Sequence, residues 1–176
     1  MNRTFSYDDT LLVPQYSDIR SRSEIDISTD LGKGVKLQLP ILASPMDTVS
    51  ESAMATAMTK VGATAIVHRY NTIEDQMKHV KQVSSPSIVG GAIGVAGDYL
   101  ERATALLESG ATFLCVDVAH GHHIMVKQAL RKLRNKFGNQ LHIMAGNVAT
   151  LRGINDLSDW GADSVRCNIG GGSICS

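Results

Sequence analysis

From residue 41 onward, short apolar runs alternate with amphipathic stretches. The nearly continuous apolar runs predict strands at residues 41–44, 63–67, 88–95, 113–118, 141–145 and 164–169. Between them, apolar residues recur at helical spacing over residues 51–60, 73–83, 99–109, 123–137 and 151–160. One strand and one helix together take roughly 25 residues, which is typical of right-handed parallel βαβ units. The pattern predicts a parallel sheet that is covered on both faces.

Glycines and small polar residues mark the predicted helix ends. The helices are predicted to end at or just before Gly62, Gly110, Gly138 and Gly161, since glycine adopts the backbone conformation that commonly terminates a helix. Thr72 and Asp98 have side chains that suit helix N-caps.

The first forty residues are less regular. Residues 7–14 form a short apolar stretch closed by a proline, residues 25–29 alternate like an edge strand, and residues 31–37 predict a hairpin turn. We therefore divide the chain into an irregular N-terminal segment with a hairpin, residues 1–40, and a domain that we predict to be a partial catalytic TIM barrel, residues 41–176.

The predicted fold class is α/β, a (β/α)8 TIM barrel truncated after the sixth strand. Such a barrel typically takes about 250 residues, whereas this chain has 176. An open doubly wound sheet is the alternative, because it could close at this length. The first strand-to-helix turn, however, lacks the glycine fingerprint of a dinucleotide-binding fold.

Composition narrows the function classes. The formal net charge is zero and aromatic residues make up 5%, so neither a basic surface nor a base-stacking surface indicates a nucleic acid partner. No apolar run approaches the ~20 residues that a membrane span requires. Three cysteines without disulfide spacing, and no apolar leader, indicate a cytoplasmic location.

Barrel enzymes place their chemistry at the C-terminal ends of the strands. In this chain, polar residues and glycines cluster after each predicted strand, at residues 44–48, 68–71, 94–97, 117–123, 146–150 and 170–175. The turns of a purely structural barrel would not need so many polar groups.

The last of these clusters combines three consecutive glycines, residues 170–172, with Cys175. Glycines can turn several backbone N–H groups toward one anion, and such a site also favours the reactive thiolate of a nearby cysteine. The alternative is a glycine tail with an incidental thiol. Cys115 and Cys167 lie within predicted strands, so we expect both to be packed.

Two further clusters have structural alternatives. His120, His122 and His123 suggest zinc, but no cysteine or carboxylate completes a ligand set at the usual spacing. Asp117, at the end of a predicted strand, could simply cap the next helix.

Several motifs resemble the IMP dehydrogenase/GMP reductase family. They are LPILASPMDTV at residues 39–49, GGAIGV at 90–95, DVAHGH at 117–122, AGNVAT at 145–150 and GGGSIC at 170–175. YDDTLLVP at residues 7–14 is similar to the N-terminal signature of the family. The motifs occur in order at the spacing of barrel units, and the resemblance covers essentially the whole chain.

The resemblance implies a purine nucleotide oxidoreductase whose nucleophile is Cys175. In the dehydrogenase, the cysteine attacks C2 of IMP, hydride leaves for NAD, and water hydrolyses the thioimidate to XMP. In the reductase, the cysteine displaces ammonia from GMP and NADPH returns a hydride. A covalent intermediate divides one difficult substitution into two easier steps.

The resemblance also assigns the binding residues. Substrate binding falls to Ser44, Met46, Asn147 and Ser173, and cofactor binding to Asp117 and Arg166. Backbone carbonyls of Gly170, Gly172 and Cys175 would hold a monovalent cation, usually K⁺, and carbonyl oxygens suit a hard cation. The family also implies a homo-oligomer, a tetramer.

The chain departs from the family pattern at two positions, and its motifs do not decide between the two enzymes of the family. Gly171 stands where proline or serine is common, and Asn168 where glycine is usual. Ser44-Pro45-Met46 and the AHGH run at residues 119–122 resemble the dehydrogenase, which we favour. Most dehydrogenases of the family insert a pair of CBS modules after the second strand. This chain lacks that insert, as reductases do, and the reductase is the first alternative. An inactive half-barrel that acts through a partner chain is the second.

Overall fold

The structure is a computed structural model that describes residues 9–83 and 87–169. An antiparallel hairpin of β1 (Thr29–Asp30) and β2 (Lys36–Leu37) precedes a parallel sheet of six strands. The sheet comprises β3 (Leu42–Ala43), β4 (Thr64–Val67), β5 (Gly90–Ile93), β6 (Phe113–Asp117), β7 (His142–Val148) and β8 (Ser164–Cys167).

Strand order in the sheet equals strand order in the chain, from β3 to β8, and all five pairings are parallel. A doubly wound sheet reverses its strand order part of the way across, and this sheet does not. The structure is thus an α/β half-barrel with six parallel strands, which confirms the predicted fold class.

Five helices connect the strands: α1 (Ser52–Lys60), α2 (Ile73–Lys81), α3 (Tyr99–Glu108), α4 (Ile124–Phe137) and α5 (Leu151–Asp159). Their bounds agree with the sequence prediction to within two residues. The glycines expected at helix ends have left-handed backbones, with φ of 77° at Gly62, 102° at Gly110, 72° at Gly138 and 114° at Gly161.

One of the two predicted helix caps is correct. The hydroxyl of Thr72 accepts the N–H of Asp75 at 3.1 Å and caps α2. Asp98 makes no side-chain cap bond to α3, because its ψ of 3° lacks the extended backbone that capping needs. Its carboxylate instead accepts a hydrogen bond from Arg102 at 2.8 Å.

The core has two apolar layers, and side chains along each strand alternate between them. In β6, Leu114 and Val116 face the helices, while Phe113 and Cys115 face the inside of the half-barrel. The prediction that Cys115 is a core residue is therefore confirmed. The inner layer comprises Val35, Ile66, Ala92, Phe113, Cys115 and Met144.

The hairpin covers the N-terminal ends of the strands. Val35, in the hairpin turn, is buried in the inner layer, and Lys33 pairs with Asp163 at 2.6 Å just before β8. The edge strand predicted at residues 25–29 is wrong, because pairing begins only at Thr29, and Ile25 and Ile27 are exposed. None of the described strands pairs with residues 25–28. Among the described residues, no helix has the length and apolar character to cross a membrane.

Candidate active site

Asp117 and Arg166 meet at the C-terminal edge of the sheet. The strand register sets Asp117 of β6 opposite Gly146 of β7, and Gly146 opposite Arg166 of β8. The Arg166 guanidinium reaches across Gly146 and donates to the Asp117 carboxylate. A Cβ at Gly146 would lie 2.6 Å from the Arg166 Cβ, so only glycine lets the two strands approach this closely here.

A second guanidinium approaches Asp117 from β4. Arg69, in the loop after that strand, donates from Nε to the Asp117 backbone carbonyl at 3.3 Å and lies over the Tyr70 ring. Two cations therefore contact Asp117, Arg166 at the carboxylate and Arg69 at the backbone carbonyl. Sequence reasoning placed the loop at the active edge but gave Arg69 no role, although a cation directly after a barrel strand was an available signal.

Cys115 lies beneath this pair and is unsuited to nucleophilic chemistry. Burial raises the pKa of Cys115 to about 12, and the nearby Arg166 cation offsets only part of that effect. The thiolate, which is the nucleophile, is therefore scarce at neutral pH.

Asn147 joins three segments at the same edge. Its side-chain amide donates to the Asn168 carbonyl at 3.1 Å, and its own carbonyl accepts the N–H of Gly121 at 2.7 Å. Asn168 has a φ of 88°, the left-handed region in which glycine is usual and asparagine is tolerated. This explains how asparagine replaces the glycine of the family pattern. The substrate role of Asn147 stays a prediction.

Ser44 and Met46 lie in a tight turn after the edge strand β3. The Met46 N–H donates to the Ser44 carbonyl at 2.8 Å, and the Met46 carbonyl accepts the N–H groups of Val49 and Ser50. Four strands further along the sheet order is β7, which carries Asn147. Ser44 and Met46 are therefore four strands away from Asn147 in the sheet. Their substrate roles stay predictions.

The remaining predicted site residues, Gly170, Gly172, Ser173 and Cys175, lie outside the described residues. The chain leads to them through Ile169, two residues beyond the end of β8. The nucleophile, the phosphate hydroxyl and the cation carbonyls thus stay predictions.

The prediction that Cys167 is packed is wrong, because its thiol is free and exposed. It lies in β8, which among the described strands has a neighbour on one side only. A strand-like run in the sequence does not reveal whether a neighbouring strand covers it.

The three histidines after β6 do not converge. His122 pairs with Asp156 of α5 at 2.7 Å, and the His123 ring accepts the N–H of Met125 at the start of α4. Within residues 9–83 and 87–169, no group of three or more His, Cys, Asp or Glu side chains is arranged to hold a metal ion.

Parallel strands in chain order, with charged side chains at their C-terminal ends, are typical of (β/α) barrel enzymes. The chain belongs to the IMP dehydrogenase / GMP reductase domain family, whose model matches residues 4–176. This is a family of purine nucleotide oxidoreductases, and the resemblance seen in the sequence motifs is confirmed.

Similar proteins carry both family names. The chain is 31% identical to a GMP reductase of Mycoplasma mycoides subsp. mycoides over 98% of its length, and covers 54% of that protein. It is 30% identical to an inosine-5'-monophosphate dehydrogenase of Cryptosporidium parvum over its full length, and covers 54% of that protein. With the dehydrogenase of Nitrosopumilus maritimus, identity is 26% over 97% of the chain and 62% of that protein.

The extents of these alignments differ. With the Mycoplasma protein the alignment spans 176 residues, but with the Nitrosopumilus protein it spans 295, so that dehydrogenase carries additional residues inside the aligned region. The chain spans about half to three-fifths of the length of the relatives it matches.

Proposed function

We propose that this chain carries the nucleophile side of an enzyme that oxidises IMP to XMP with NAD. The observation that supports the proposal most directly is the Asp117–Arg166 pair at the active edge, in a chain of this family. Both side chains are only partly exposed, so their carboxylate and guanidinium groups are oriented by the sheet rather than by solvent.

The pair fits the dinucleotide that the family uses. A carboxylate oxygen accepts a hydrogen bond, and a guanidinium offers further donors, so together they can orient a carboxamide or a ribose hydroxyl. The nicotinamide ring, when bound, supplies the hydride acceptor. Arg166 and Asp117 would fix the orientation of that end of the dinucleotide at the edge of the sheet.

The substrate side rests on residues beyond the described range, on the loop after β3 and on Asn147 of β7. Cys175 would add its thiolate to C2 of IMP, hydride would leave C2 for NAD, and water would then hydrolyse the resulting thioimidate to XMP and the free thiol. Ser173 would bind the phosphate. Ser44, Met46 and Asn147 would contact the rest of the nucleotide. Carbonyls of Gly170, Gly172 and Cys175 would hold K⁺, which prefers oxygen ligands.

GMP reduction with NADPH is the second candidate. The near gap-free alignment with the Mycoplasma reductase favours it, because the chain lacks the additional residues of the Nitrosopumilus dehydrogenase. The SPM turn at residues 44–46 and the AHGH run at residues 119–122 favour the dehydrogenase. We give more weight to these substrate-side motifs, because they follow β3 and β6 at the active edge.

Full activity requires the part of the barrel that the relatives have and this chain does not span. An inactive half-barrel that works through a partner chain is the third candidate.

We further propose a homo-oligomer, a tetramer, by analogy with the family. A cytoplasmic location agrees with the free thiols of Cys115 and Cys167.

The activity test joins the chain to the remaining segment of the Cryptosporidium parvum relative. The joined enzyme is expected to oxidise IMP with NAD, whereas the 176-residue chain alone is expected to be silent. Positioning contributes up to roughly 7–11 kcal/mol of barrier reduction, so a substrate held on one side should not react. If the joined enzyme reduces GMP with NADPH and does not oxidise IMP, the second candidate, GMP reduction, is the correct function. Turnover by the chain alone would contradict the proposal.

The nucleophile is tested by alkylation of the joined enzyme with and without IMP. Because Cys167 is exposed, the assay uses a Cys167→Ser background. Cys175 is then expected to label rapidly and to be protected by IMP, and Cys175→Ala is expected to abolish turnover. Equal labelling of Cys115, or no protection by IMP, would show the assignment to be wrong.

A further inference from the structure

Two histidine side chains contact the same carboxylate oxygen of Glu51, which is not part of the Asp117–Arg166 pair. Its Oε1 lies 3.1 Å from Nε2 of His68, which follows β4, and 3.5 Å from Nε2 of His79 in α2. Glu51 occupies the N-cap position of α1 but makes no cap bond with its side chain. The carboxylate is therefore directed to the imidazoles rather than to the helix.

The hydrogen bonds of His68 define the tautomer of its neutral ring. Its Nδ1 lies 3.2 Å from the backbone N–H of Tyr70, which can only donate. Nδ1 must therefore be the acceptor and carry no proton, so the proton is on Nε2 and is donated to Glu51. The His68 side chain is only 3% exposed, which leaves water little access to exchange these partners.

His79 has a similar arrangement but ties different segments. Its Nδ1 is 3.4 Å from the N–H of Ser52, the first residue of α1, so it links α2 to α1. It does not contact the loop after β4 through its ring nitrogens. This makes His79 a natural control for His68.

His68 links the loop after β3 to the loop after β4. Its backbone N–H donates to the Ser50 carbonyl at 3.3 Å, four residues after Met46. The next residue in the chain, Arg69, donates to the Asp117 carbonyl, and the Asp117 side chain accepts from Arg166. A continuous set of contacts thus runs from Glu51 to the candidate dinucleotide site.

We propose that Glu51 and His68 are positioning residues for the Asp117–Arg166 pair. Glu51 holds His68 as the neutral Nε2–H tautomer, whose Nδ1 then anchors the backbone of Tyr70. The anchored loop sets the place of Arg69, and Arg69 in turn holds the backbone of Asp117. The consequence for cofactor binding rests on the proposed function, but the chain of contacts does not.

The contacts are tested in the 176-residue chain by NMR with ¹⁵N-labelled histidine and arginine. The His68 ring is assigned by comparison with His68→Gln, and it is expected to show an unprotonated Nδ1 and a protonated Nε2 at pH 8. Glu51→Gln keeps an oxygen acceptor and is expected to preserve this tautomer. Glu51→Ala leaves the Nε2–H without its acceptor, which loosens the ring and its bond to the Tyr70 N–H, so this variant is expected to admit the Nδ1–H tautomer and to speed exchange of the Arg69 Nε–H about tenfold, a change equivalent to about 1.4 kcal/mol.

Three results would overturn the positioning link. The first is a His68 ring protonated on Nδ1 in the unmodified chain. The second is an Arg69 Nε–H unaffected by Glu51→Ala. The third is loss of the tautomer in Glu51→Gln as complete as in Glu51→Ala, which would mean that charge rather than hydrogen bonding matters. Glu51 is half-exposed, and urea unfolding of each variant verifies that it folds.

The functional consequence is tested in the joined enzyme. Glu51→Ala is expected to raise KM for the dinucleotide about tenfold with little change in kcat, because it weakens binding at a remote site. Glu51→Gln is expected to restore KM to within about threefold, and His79→Ala to leave it within about twofold. An effect confined to kcat, or a His79→Ala effect as large as that of Glu51→Ala, would contradict the proposal. If the joined enzyme does not oxidise IMP, the proposed function fails while the Arg69 signal still decides the link.

Discussion

The Arg166 guanidinium and the Asp117 carboxylate form a hydrogen-bonded ion pair across Gly146, with side-chain exposures of 22% and 16%. Removing one partner leaves a poorly solvated charge. We expect Asp117→Ala to lower the free energy of unfolding by about 2 kcal/mol. A double-mutant cycle of Asp117→Ala and Arg166→Ala, measured by urea denaturation, should give a coupling energy of about 1–2 kcal/mol.

The exposed pair of Lys78 and Asp75, one turn apart in α2, is the matched control. Water screens both of its charges, so the same cycle there should show no measurable coupling. Additive effects of Asp117→Ala and Arg166→Ala would mean that the inner pair contributes nothing to stability.

Acidification is expected to weaken the fold in two steps at the N-terminal ends of the strands. Burial lowers the pKa of His142 from its usual 6.5, and the Lys33 and Arg134 cations act in the same direction, while Asp163 opposes them. The unfolded chain therefore binds a proton here more readily than the folded protein. The contribution of His142 to stability is complete above about pH 6.5 and declines as the pH falls below it.

Asp163 gives the lower step. Burial alone would raise the pKa of Asp163, but hydrogen bonds from Lys33, the Ile143 N–H and Arg134 outweigh burial and lower it from 3.8. Its contribution is complete above about pH 3.8 and is lost at lower pH. Urea midpoints measured across about pH 2–8 should show both steps, with the upper one absent in His142→Gln and the lower one absent in Asp163→Asn. An unchanged profile in either variant would contradict the assignment.

Gly90 is expected to tolerate no side chain, because it packs against the inner layer. A Cβ at Gly90 would lie 2.4 Å from Cζ of Phe113. We expect Gly90→Ala to cost about 1–3 kcal/mol of unfolding free energy by overpacking. The Gly90→Ala, Phe113→Leu double variant should be more stable than the sum of the two single changes predicts.

Gly94, one residue past the same strand, is the control. A Cβ there would meet Arg69 at 3.5 Å, an ordinary contact, so Gly94→Ala should change stability by less than about 0.5 kcal/mol. Equal costs at Gly90 and Gly94 would show that lost backbone freedom, not the Phe113 ring, is responsible.

Gln76 of α2 is expected to be essential for stability. Its side chain is fully buried, its Nε2 donates to the Val67 and Ala92 carbonyls, and its Oε1 accepts from Arg102 at 2.8 Å. Gln76→Leu fills the space but leaves these groups unpaired, and we expect a loss of about 2–4 kcal/mol in urea denaturation. Gln76→Glu should also destabilise, because a carboxylate cannot donate to the two carbonyls.

The exposed Gln82, directly after the same helix, is the reference. Gln82→Leu should change the free energy of unfolding by no more than about 0.5 kcal/mol. A Gln76→Leu variant as stable as the unmodified chain would refute the importance of this buried network.

The alternation of strands and helices could be predicted because it depends on the local spacing of apolar residues and on glycines at helix ends, such as Gly62 and Gly110. Features that depend on neighbours could not. Cys167 lies in a strand-like run but on a strand that has one described neighbour, and Asp98 is a good capping residue whose carboxylate binds Arg102 instead. Arg102 is four residues after Asp98, which stands at the start of the same helix, so the pair is possible from the sequence, but the spacing does not tell whether the carboxylate caps the helix or binds the guanidinium.

The site was predictable to the same extent. Asp117 and Arg166 follow from motif resemblance, but their direct contact depends on the register through Gly146. Glu51 and His68 are 17 residues apart with no shared motif, so their hydrogen bond emerges only when the loops after β3 and β4 are placed side by side.

Because each strand pairs with the strand that precedes it in the chain, every step of sheet formation closes a loop of only a few tens of residues. Proteins dominated by contacts between nearby parts of the chain fold faster than those that must first join distant parts. The half-barrel can therefore grow in the direction of ribosomal synthesis. Each new strand–helix unit would find its partner already formed, with the hairpin at residues 29–37 available from the start to cover the base of the growing core.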